Sequence, residues 1–513
     1  MQEQNNWVRD VEMAEPSFGD NTADADRLRR SLASETEAAP LYMDLELMRS
    51  LPELFRDSGY RASCCLFRDG QGWVVTGVAP PGSGETWLGL AVDLGTTKYV
   101  LALIELASGR ELARVTRDNP QVGIGTDILS RIHSIGDSRQ RLHSMQEMLL
   151  EDMRAACRNL CLEAGANPER IVNMALAGNT AMTHFFLALP PKWIIREPYI
   201  PALNSPDLIP ASRLDLPFGP LARVMCFPGV GSYFGGDLLA GIISSGMQES
   251  EEISILVDVG TNAEVVLGCR DWLIACAGAA GPALEEGMSE IGKQAGPGII
   301  DKVWFDGTAG EFRVRTLDGE APVGICGSGI IDLAAELFRC GLLDFRGKFV
   351  PHAMPERFRS VDGITHFILI PAEESGTGEG LLLGQPEIDS LIRSKAAMYT
   401  ILETITNSVG LGLEDISRFY VAGTFGSYID PDSAVRIGML PDLPRESFTP
   451  LGNSSLSGAV RVLQDPRAVA EVHDIAAKVT YLELNVNQEF MNRFSAAKFL
   501  PHTDRSRFPS LAQ

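Results

Sequence analysis

A repeated strand-and-turn pattern is the feature of this 513-residue chain that most restricts its fold. The segment "LAVDLGTTKYVLALI" (90–104) places an apolar strand, Asp93, a Gly-Thr-Thr turn and a second apolar strand in direct succession. The segment "ILVDVGTNAEVVLG" (255–268) repeats this order around Asp258. One such turn is an ordinary β-hairpin. Two copies, each after an apolar strand, predict duplicated lobes that face each other across a cleft.

The residue types in both turns suit a phosphate chain held together with a divalent cation. Gly95 and Gly260 let the backbone approach an anion and turn its N–H groups towards oxygen. Short polar side chains add donors; they are Thr96, Thr97, Thr261 and Asn262. Asp93 and Asp258 would repel each other in one cleft unless a cation such as Mg²⁺ lay between them, held through water. We therefore predict a nucleotide–metal site; the alternative is a pair of unrelated β-turns.

Two glycine-rich segments give weaker indications of the same kind. The first follows the strand "RFYV" and would leave bare backbone against a base or ribose. Its residues are Gly423, Thr424 and Gly426. The second stands just before a helical pattern, where free N–H groups attract anions. Its residues are Gly327, Ser328 and Gly329. Taken alone, each segment is equally typical of a strand end or a helix cap.

Composition argues against several kinds of partner. Lys and Arg number 44 against 67 Asp and Glu, which gives a net charge of −23, so the surface repels phosphate backbones and anionic lipid. The first residues, "MQEQNNWVRD", lack the pattern of a secretion signal, and no apolar run approaches the ~18 residues of a membrane span. The nine cysteines form no C-x-x-C pair. We expect a cytoplasmic protein that binds neither nucleic acid nor membrane and holds no iron–sulfur cluster.

The chain is predicted to have three parts. Residues 1–26 are polar and acidic, which is typical of a linker or tail. Residues 27–86 combine two helical patterns with a hairpin that turns at Asp69-Gly70, and they predict a small α+β domain. Residues 87–513 alternate strand and helix signals without a second clear linker, which predicts one α/β body of two lobes.

The order of the motifs resembles the ATPase superfamily that contains acetate kinase, sugar kinases, heat-shock chaperones and actin. The motifs are Asp-x-Gly-Thr-Thr at 93–97, Gly-Asn-Thr-x-Met at 178–182, Asp-x-Gly-Thr-Asn at 258–262, Gly-Ser-Gly at 327–329 and Gly-x-Phe-Gly at 423–426. Within that superfamily, "NPQVGIGTDILSRI", "YVAGTFGSYIDPDSAVRIGMLPDLP" and "AAKFLPHTD" are similar to the reductive activators of corrinoid proteins. The resemblance implies an α/β fold of duplicated actin-like (ribonuclease H-like) ATPase lobes facing a nucleotide cleft, preceded by a small α+β domain.

Members of that family use ATP hydrolysis to drive reduction of cob(II)alamin to cob(I)alamin in a methyl-carrying corrinoid protein. The resemblance therefore implies ATP and Mg²⁺ as cofactors and a corrinoid protein of a methyltransferase system as partner. Many members carry an N-terminal [2Fe–2S] ferredoxin domain, whose cysteine run this sequence lacks. We expect a separate iron–sulfur protein to supply the electron. A homodimer is compatible with the resemblance and rests on it alone.

Two other functions remain open from the same residues, a small-molecule kinase of this superfamily and a non-catalytic ATP-dependent module that binds a corrinoid protein. The sequence also departs from the family at two positions. Thr424 stands where a second glycine is usual, which would narrow an adenosine pocket, and Ile291 stands where a cysteine is expected.

The candidate catalytic groups are carboxylates. Asp237, in "GSYFGGDLLAG", occupies the start of a predicted helix, where the similar sugar kinases place a Gly-Asp general base. We predict that Asp237 orients the water that attacks the γ-phosphate; the alternative is a helix cap, and Glu264 is the rival catalytic group. Asn179 and Thr180 lie where the connecting helix of the family begins, and the resemblance implies that they are hinge residues near the phosphates. His184, on the apolar run "THFFLAL", is expected to be a packed helix residue.

Overall fold

The computed structural model describes residues 6–36, 39–83, 86–260, 263–278, 291–482 and 488–511. The chain divides into two compact units. Unit 1 comprises Met1–Ser244 and Ser454–Val479, and unit 2 comprises Ser245–Asn453 and Thr480–Gln513.

A small α+β domain (residues 6–83) forms the first part of unit 1. Its elements are β1 (Val8–Glu12), α1 (Asp24–Leu32), β2 (Leu41–Tyr42), α2 (Leu45–Asp57), β3 (Arg61–Arg68) and β4 (Trp73–Ala79). The strands form one sheet in the order β1-β3-β4-β2. The β3–β4 hairpin turns at Asp69, as the sequence predicts, and Asp69 Oδ1 accepts hydrogen bonds from the N–H groups of Gln71 (2.8 Å) and Gly72 (3.2 Å).

The structure differs from the predicted tail at residues 1–26. Val8–Glu12 forms β1, which pairs antiparallel with β3. The preceding Trp7 is fully buried, and its Nε1 donates to the carbonyl of Val462 at 3.0 Å. The polar composition concealed this strand, because one large aromatic side chain, rather than an alternating apolar pattern, anchors it. The segment is therefore the first strand of the small domain.

The rest of unit 1 is built on a six-stranded sheet. Its strands are β5 (Leu88–Leu94), β6 (Lys98–Glu105), β7 (Glu111–Asp118), β8 (Ile171–Gly178), β9 (Ile209–Pro210) and β10 (Arg223–Cys226). The helices of this part are α3 (Ile128–Ile135), α4 (Arg139–Glu163), α5 (Thr180–Phe186) and α6 (Gly236–Ser245). All of β8 and all of β5 except Asp93 is buried, which explains why both read as continuous apolar runs.

Unit 2 contains a second six-stranded sheet and two three-stranded sheets. Its strands are β11 (Ser254–Val259), β12 (Ala263–Gly268), β13 (Leu273–Gly278), β14 (Ile299–Asp306), β15 (Glu311–Thr316), β16 (Gly324–Ile325), β17 (Phe358–Val361), β18 (Ile364–Ile370), β19 (Leu381–Gly384), β20 (Arg418–Ala422), β21 (Phe448–Gly452) and β22 (Val479–Tyr481). The remaining helices of the chain are α7 (Gly327–Arg339), α8 (Gln385–Ser408), α9 (Gly423–Tyr428), α10 (Pro431–Arg436), α11 (Ser454–Gln464), α12 (Arg467–Lys478) and α13 (Gln488–Ala497).

The two large sheets share the connectivity of five strands, and the sixth strand of each, β9 or β22, is added at a different edge. Their orders are β7-β6-β5-β8-β10-β9 in unit 1 and β21-β20-β11-β12-β13-β22 in unit 2. In each sheet three consecutive strands pair antiparallel, and two later strands then add in parallel beside the first of the three. The carboxyl ends of the first and fourth strands of each set therefore meet at one edge, which is where α/β sheets bind ligands. The predicted duplication is confirmed by this topology.

Unit 1 is completed by a helix from late in the chain. α11 packs against β5, β6 and β8. It also crosses α6 closely, since a Cβ on Gly458 would lie 2.2 Å from the carbonyl oxygen of Ala240. Each unit has an apolar core against its own sheet. Within the part of the chain that the structure describes, no helix combines the length and apolar character that a bilayer crossing requires.

Candidate functional site

The turn after β5 is closed too tightly for any residue but glycine at its first position. A Cβ on Gly95 would lie 2.5 Å from the carbonyl oxygen of Lys98. The N–H of Asn119, just after β7, donates to the carbonyl of Thr97 at 2.7 Å and closes the other end of the turn. Asp93, the last polar residue of β5, is half-buried while its strand neighbours are fully buried. The turn therefore offers bare backbone beside one carboxylate, as predicted.

Asn179 joins this turn to the neighbouring strand end. β8 runs parallel to β5 in a register that pairs Gly178 with Leu94. Asn179 Oδ1 caps α5 by accepting from the N–H of Met182 (2.9 Å), and Asn179 Nδ2 donates to Thr96 Oγ1 at 3.2 Å. One side chain thus links the α5 N-terminus to the predicted phosphate-binding turn.

Asp237 lies beside the same junction. A Cβ on Gly235 would come within 2.7 Å of Asp237 Oδ1, 2.4 Å of Asn179 Cα and 2.8 Å of the Thr180 amide nitrogen. Asp237 stands in the first turn of α6, and its Oδ1 accepts from the N–H of Leu238 at 2.9 Å. The structure therefore brings Thr96, Asn179 and Asp237 together within unit 1. Whether Asp237 orients water or only caps α6 stays a prediction.

His184 has the packed role expected of it. The side chain is 1% exposed. Its Nδ1 lies 2.7 Å from the carbonyl of Thr180, and its Nε2 accepts from the N–H of Ala202 at 3.1 Å, so Nδ1 is the protonated nitrogen. Burial lowers the pKa of His184, and the ring is neutral. His184 fixes the segment around Ala202 to α5 and is not placed as a metal ligand.

In unit 2 two of the predicted carboxylates are direct cross-strand neighbours. Asp258 on β11 pairs with Glu264 on β12, and each is the half-exposed residue of a strand whose other residues are buried. Paired residues project from the same face of a sheet, and two like charges in that position are unfavourable without a cation. In unit 1 the residue opposite Asp93 is Val100. Asp258 and Glu264 therefore lie side by side on one face of the sheet, and the metal role of Asp258 and the catalytic role of Glu264 stay predictions.

Gly423 also meets this carboxylate. Asp258 pairs with Ala422 on β20. Gly423 follows with φ +83°, and a Cβ there would lie 3.1 Å from Asp258 Oδ1. The positive φ and the close approach together require glycine. Gly423 begins the short helix α9 and not the predicted loop, because the chain turns into a helix directly from the strand. Gly426 lies within α9, and the side chain of Thr424 falls outside the described set.

The second glycine-rich segment is also helical. Gly327, Ser328 and Gly329 form the first turn of α7, with Cys326 as its N-cap, and do not precede the helix as predicted. Gly329 is required for packing, since a Cβ there would lie 2.8 Å from the carbonyl of Ile300. Ser328 is 3% exposed and its hydroxyl donates to the carbonyl of Asp301 at 3.3 Å. The nucleotide contacts assigned to these residues stay predictions.

The turn after β11 and the position of Ile291 remain to be described. Thr261 and Asn262 lie outside the described residues, and Gly260 before them is half-buried. Ile291, at the position of the expected cysteine, is 8% exposed in the core of unit 2, and its carbonyl accepts from the N–H of Ile325 at 2.9 Å. A packing role accounts for an apolar side chain there.

The donor set fits Mg²⁺ bound together with a nucleotide. Among the residues that the structure describes, no group of three His, Cys, Asp or Glu side chains is able to hold a metal by itself. Mg²⁺ usually takes one or two carboxylates and completes its shell with water and phosphate oxygens. Asp93 in unit 1, and the neighbouring Asp258 and Glu264 in unit 2, are carboxylates of this kind, each within its own unit.

Sequence reasoning missed two residues that hold the unit 1 turn. Asn119 Nδ2 donates to the carbonyl of Gly95 (3.0 Å), and Arg131 Nη2 donates to that of Thr96 (2.6 Å). Both lie in "NPQVGIGTDILSRI", a segment that carried the family resemblance without an assigned role. The polar residues of this segment, which the family resemblance had already singled out, were the available signal.

Two sheets of ribonuclease H-like connectivity, each with an aspartate near the carboxyl end of its first strand, define the class: this is an actin-like ATPase fold. Three family models match consecutive regions: the RACo linker region at 6–84, the RACo middle region at 88–250, and the C-terminal ASKHA domain of RACo at 252–512. The chain belongs to the RACo family, the reductive activators of corrinoid proteins. The resemblance drawn from the motifs is thereby confirmed.

Individual relatives agree with this assignment. The solved structure of a reductive activator for corrinoid, iron–sulfur protein is 35% identical with a TM-score of 0.87, over 99% of this chain and 81% of that chain. The corrinoid activation enzyme RamQ of Eubacterium limosum is 28% identical over 481 residues, 92% of this chain and 79% of the relative. A [Co(II) methylated amine-specific corrinoid protein] reductase of Methanosarcina barkeri is 24% identical over 445 residues, 79% of this chain and 75% of the relative.

Proposed function

We propose that this chain is a cytoplasmic ATPase that activates a corrinoid protein of a methyltransferase system. ATP hydrolysis would support reduction of cob(II)alamin to cob(I)alamin in that partner. Membership of the RACo family and the names of the relatives support the reaction class. The observation that carries the proposal is the meeting of Thr96, Asn179 and Asp237 near the end of β5, because a hydroxyl, an amide and a carboxylate lie close together there.

Each group has a distinct task in this proposal. The backbone of Gly95–Thr97 and the Thr96 hydroxyl bind phosphate oxygens. Asp93 in unit 1 and Asp258 in unit 2 are the proposed carboxylates for water-bound Mg²⁺, with Glu264 beside Asp258, and Gly423 is the proposed contact to the nucleoside. Mg²⁺ bound with ATP neutralises charge on the phosphate oxygens. Asp237 accepts a hydrogen bond from the attacking water and so directs its lone pair towards the γ-phosphate.

The electron in this proposal comes from a separate iron–sulfur protein. The sequence has no cysteine run with cluster spacing. The nine cysteines are free thiols and eight are buried. Burial raises the pKa of thiols such as Cys65, Cys226 (each to about 12) and Cys161 (to about 11), and a protonated thiol is a poor ligand. A homodimer remains part of the proposal, on the strength of the family alone.

Phosphate release tests the proposed function. The full chain is incubated with Mg·ATP alone, with an oxidised corrinoid protein and a low-potential reductant, and with a panel of sugars and carboxylates. Phosphate release together with the appearance of the cob(I)alamin absorbance only with the corrinoid protein supports the proposal. A phosphorylated small product would instead identify a kinase. Binding without turnover would identify a non-catalytic module.

The first prediction separates a catalytic Asp237 from a capping one. Asn caps helices about as well as Asp, so a purely capping role predicts no effect of Asp237→Asn. We expect the variant to keep its affinity for Mg·ATP within about twofold and to lose about 100-fold or more in turnover. The control is Asp127→Asn at the N-cap of α3, where Oδ1 accepts from the N–H of Ser130 at 2.8 Å. Equal turnover in the two variants contradicts the catalytic role.

A further inference from the structure

One segment of unit 1 supplies donors to every carbonyl of the phosphate-binding turn. The carbonyls of Gly95 and Thr97 accept from Asn119, through Nδ2 (3.0 Å) and the backbone N–H (2.7 Å). The carbonyl of Thr96 accepts from Arg131 Nη2 at 2.6 Å. Within the described ranges, no acceptor is provided for the N–H groups of Thr96 and Thr97. The carbonyl groups of the turn are thus held by hydrogen bonds from Asn119 and Arg131, and the N–H groups of Thr96 and Thr97 point to a ligand as their acceptor.

Arg131 is an unusual choice for this task, because its charge is buried and unpaired. Its side chain is 0% exposed, and it forms no ion pair with any described residue. All its hydrogen bonds to oxygen go to neutral groups: besides Thr96, they are the carbonyl of Gly125 (Nε, 2.8 Å) and Gln121 Oε1 (Nη1, 3.3 Å). Burial lowers the pKa of Arg131 to about 10, so it still carries its charge at neutral pH.

A buried cation without a carboxylate is unfavourable unless a nearby anion compensates it. The acid that interacts electrostatically with Arg131 is Asp127, but this side chain is exposed and caps the N-terminus of α3. Neutral donors would satisfy the Thr96 carbonyl equally well. The guanidinium therefore adds something that hydrogen bonding alone does not require, a positive potential directly behind the turn.

We propose that Arg131 is a positioning residue for the triphosphate. It fixes the Thr96 carbonyl, so that the Thr96 and Thr97 N–H groups are presented to phosphate oxygens, and its charge favours polyanionic nucleotides over adenosine. Asn179 holds the Thr96 hydroxyl at the same time. This inference rests on the proposed function, because it takes a nucleotide to be the ligand of the turn.

The test compares Arg131→Met and Arg131→Lys in the full chain, with Arg223→Met as the matched control. Arg223 is also buried (6% exposed), but it pairs with Asp44 (2.6 and 2.7 Å) and lies at the opposite end of the same sheet. Calorimetry measures binding of Mg·ATP, Mg·ADP and adenosine. We expect Arg131→Met to weaken Mg·ATP binding at least about tenfold and adenosine less than about twofold. Arg131→Lys, which keeps the charge, should recover part of the loss, and Arg223→Met should stay within about twofold of wild type.

A second measurement does not depend on nucleotide binding and keeps the inference testable if Arg131→Met does not fold. Hydrogen exchange in the ligand-free chain should be faster at the buried N–H of Asn119, which donates to the Thr97 carbonyl, in Arg131→Lys, because lysine has fewer donors than arginine to hold the turn, and it should be unchanged in Arg223→Met. Mg·ATP affinity of a folded Arg131→Met within twofold of wild type would overturn the inference, as would equal losses for ATP and adenosine, or unchanged exchange in Arg131→Lys. Failure of wild type itself to bind Mg·ATP would overturn the proposed function, and with it the triphosphate as ligand.

Discussion

Asp332 on α7 shows how burial sets the ionisation of a single side chain. It is 2% exposed, and its Oδ2 accepts from the N–H of Val303 at 3.4 Å. The pKa of this carboxyl is raised from 3.8 to about 6, chiefly because burial removes water from the charged form. Asp430 adds to the shift by repulsion, while Lys302 opposes it. The folded protein therefore binds a proton at Asp332 more tightly than the unfolded chain does.

We predict that this difference makes the free energy of unfolding depend on pH. Protonation is favoured in the folded state, so stability increases as the pH falls through about 6 and this contribution levels off near 4. Asp332→Asn removes the charge, and we expect it to exceed wild type by about 1–3 kcal/mol at pH 8, with the gap closing towards pH 4. Denaturant unfolding of both proteins at several pH values measures the gap. Parallel pH profiles for the two proteins would show that Asp332 ionises normally.

Among the elements, α7 takes the place of a strand along one edge of β14. β14 pairs with β15 on one side and with the short β16 only at its start. Further along, carboxylates on α7 accept the edge N–H groups, Asp332 from Val303 (3.4 Å) and Glu336 from Phe305 (2.8 Å). Positions i and i+4 of a helix are ~6 Å apart and positions i and i+2 of a strand ~6.6 Å, so the two spacings match.

We predict that Glu336→Ala costs about 1–3 kcal/mol in the free energy of unfolding, because the N–H of Phe305 is left without an acceptor. Glu336 also forms an ion pair with Arg339 (2.6 Å), and the side chain of Arg339 is 41% exposed. Arg339→Ala removes that pair and the long bond from Arg339 Nη2 to the carbonyl of Phe305 (3.4 Å) but keeps the bond from the Phe305 N–H to Glu336. It serves as the control, with an expected cost below about 1 kcal/mol. Denaturant unfolding compares the two variants. Equal losses would mean that the bond to β14 contributes nothing beyond the surface pair.

Local sequence patterns predict the helices and strands of this fold better than they predict the contacts between them. The hairpin around Asp93 and the strand that runs into α5 follow from short apolar runs and turn residues, which act locally. β1 was missed because Trp7 anchors it through a partner more than 400 residues away. The role of Arg131 was missed for the same reason: its target, Thr96, is 35 positions distant. Glycines before a helix pattern were taken as loops, although Gly329 and Gly423 are needed where backbone meets backbone or a carboxylate.

For the molecule as a whole, the order of the chain does not follow the division into units. The sequence predicted one α/β body of two lobes from residue 87 and did not place the boundary between the lobes. In the structure unit 1 ends at Ser244 and resumes at Ser454. α11 has a buried face that its apolar pattern reveals, but the pattern does not say which sheet it covers. In the structure Leu463 of α11 lies against Gly89 of β5, where a Cβ would come within 3.0 Å of it.

We predict that residues 6–244 fold only when residues 454–479 are supplied. Without α11, the apolar face of β5 and β8 is exposed to water, and the hydrogen bond from Trp7 to Val462 cannot form. Unit 1 then lacks a large part of the apolar burial that stabilises a domain. A chain that joins the two segments through a Gly/Ser linker of ~20 residues should melt in one cooperative transition. Residues 6–244 alone should aggregate or melt without one. The joined chain with Leu463→Asp is the control, since it keeps the length but places a charge in the core. A cooperative transition for 6–244 alone, matching that of the joined chain, would mean that unit 1 folds without α11.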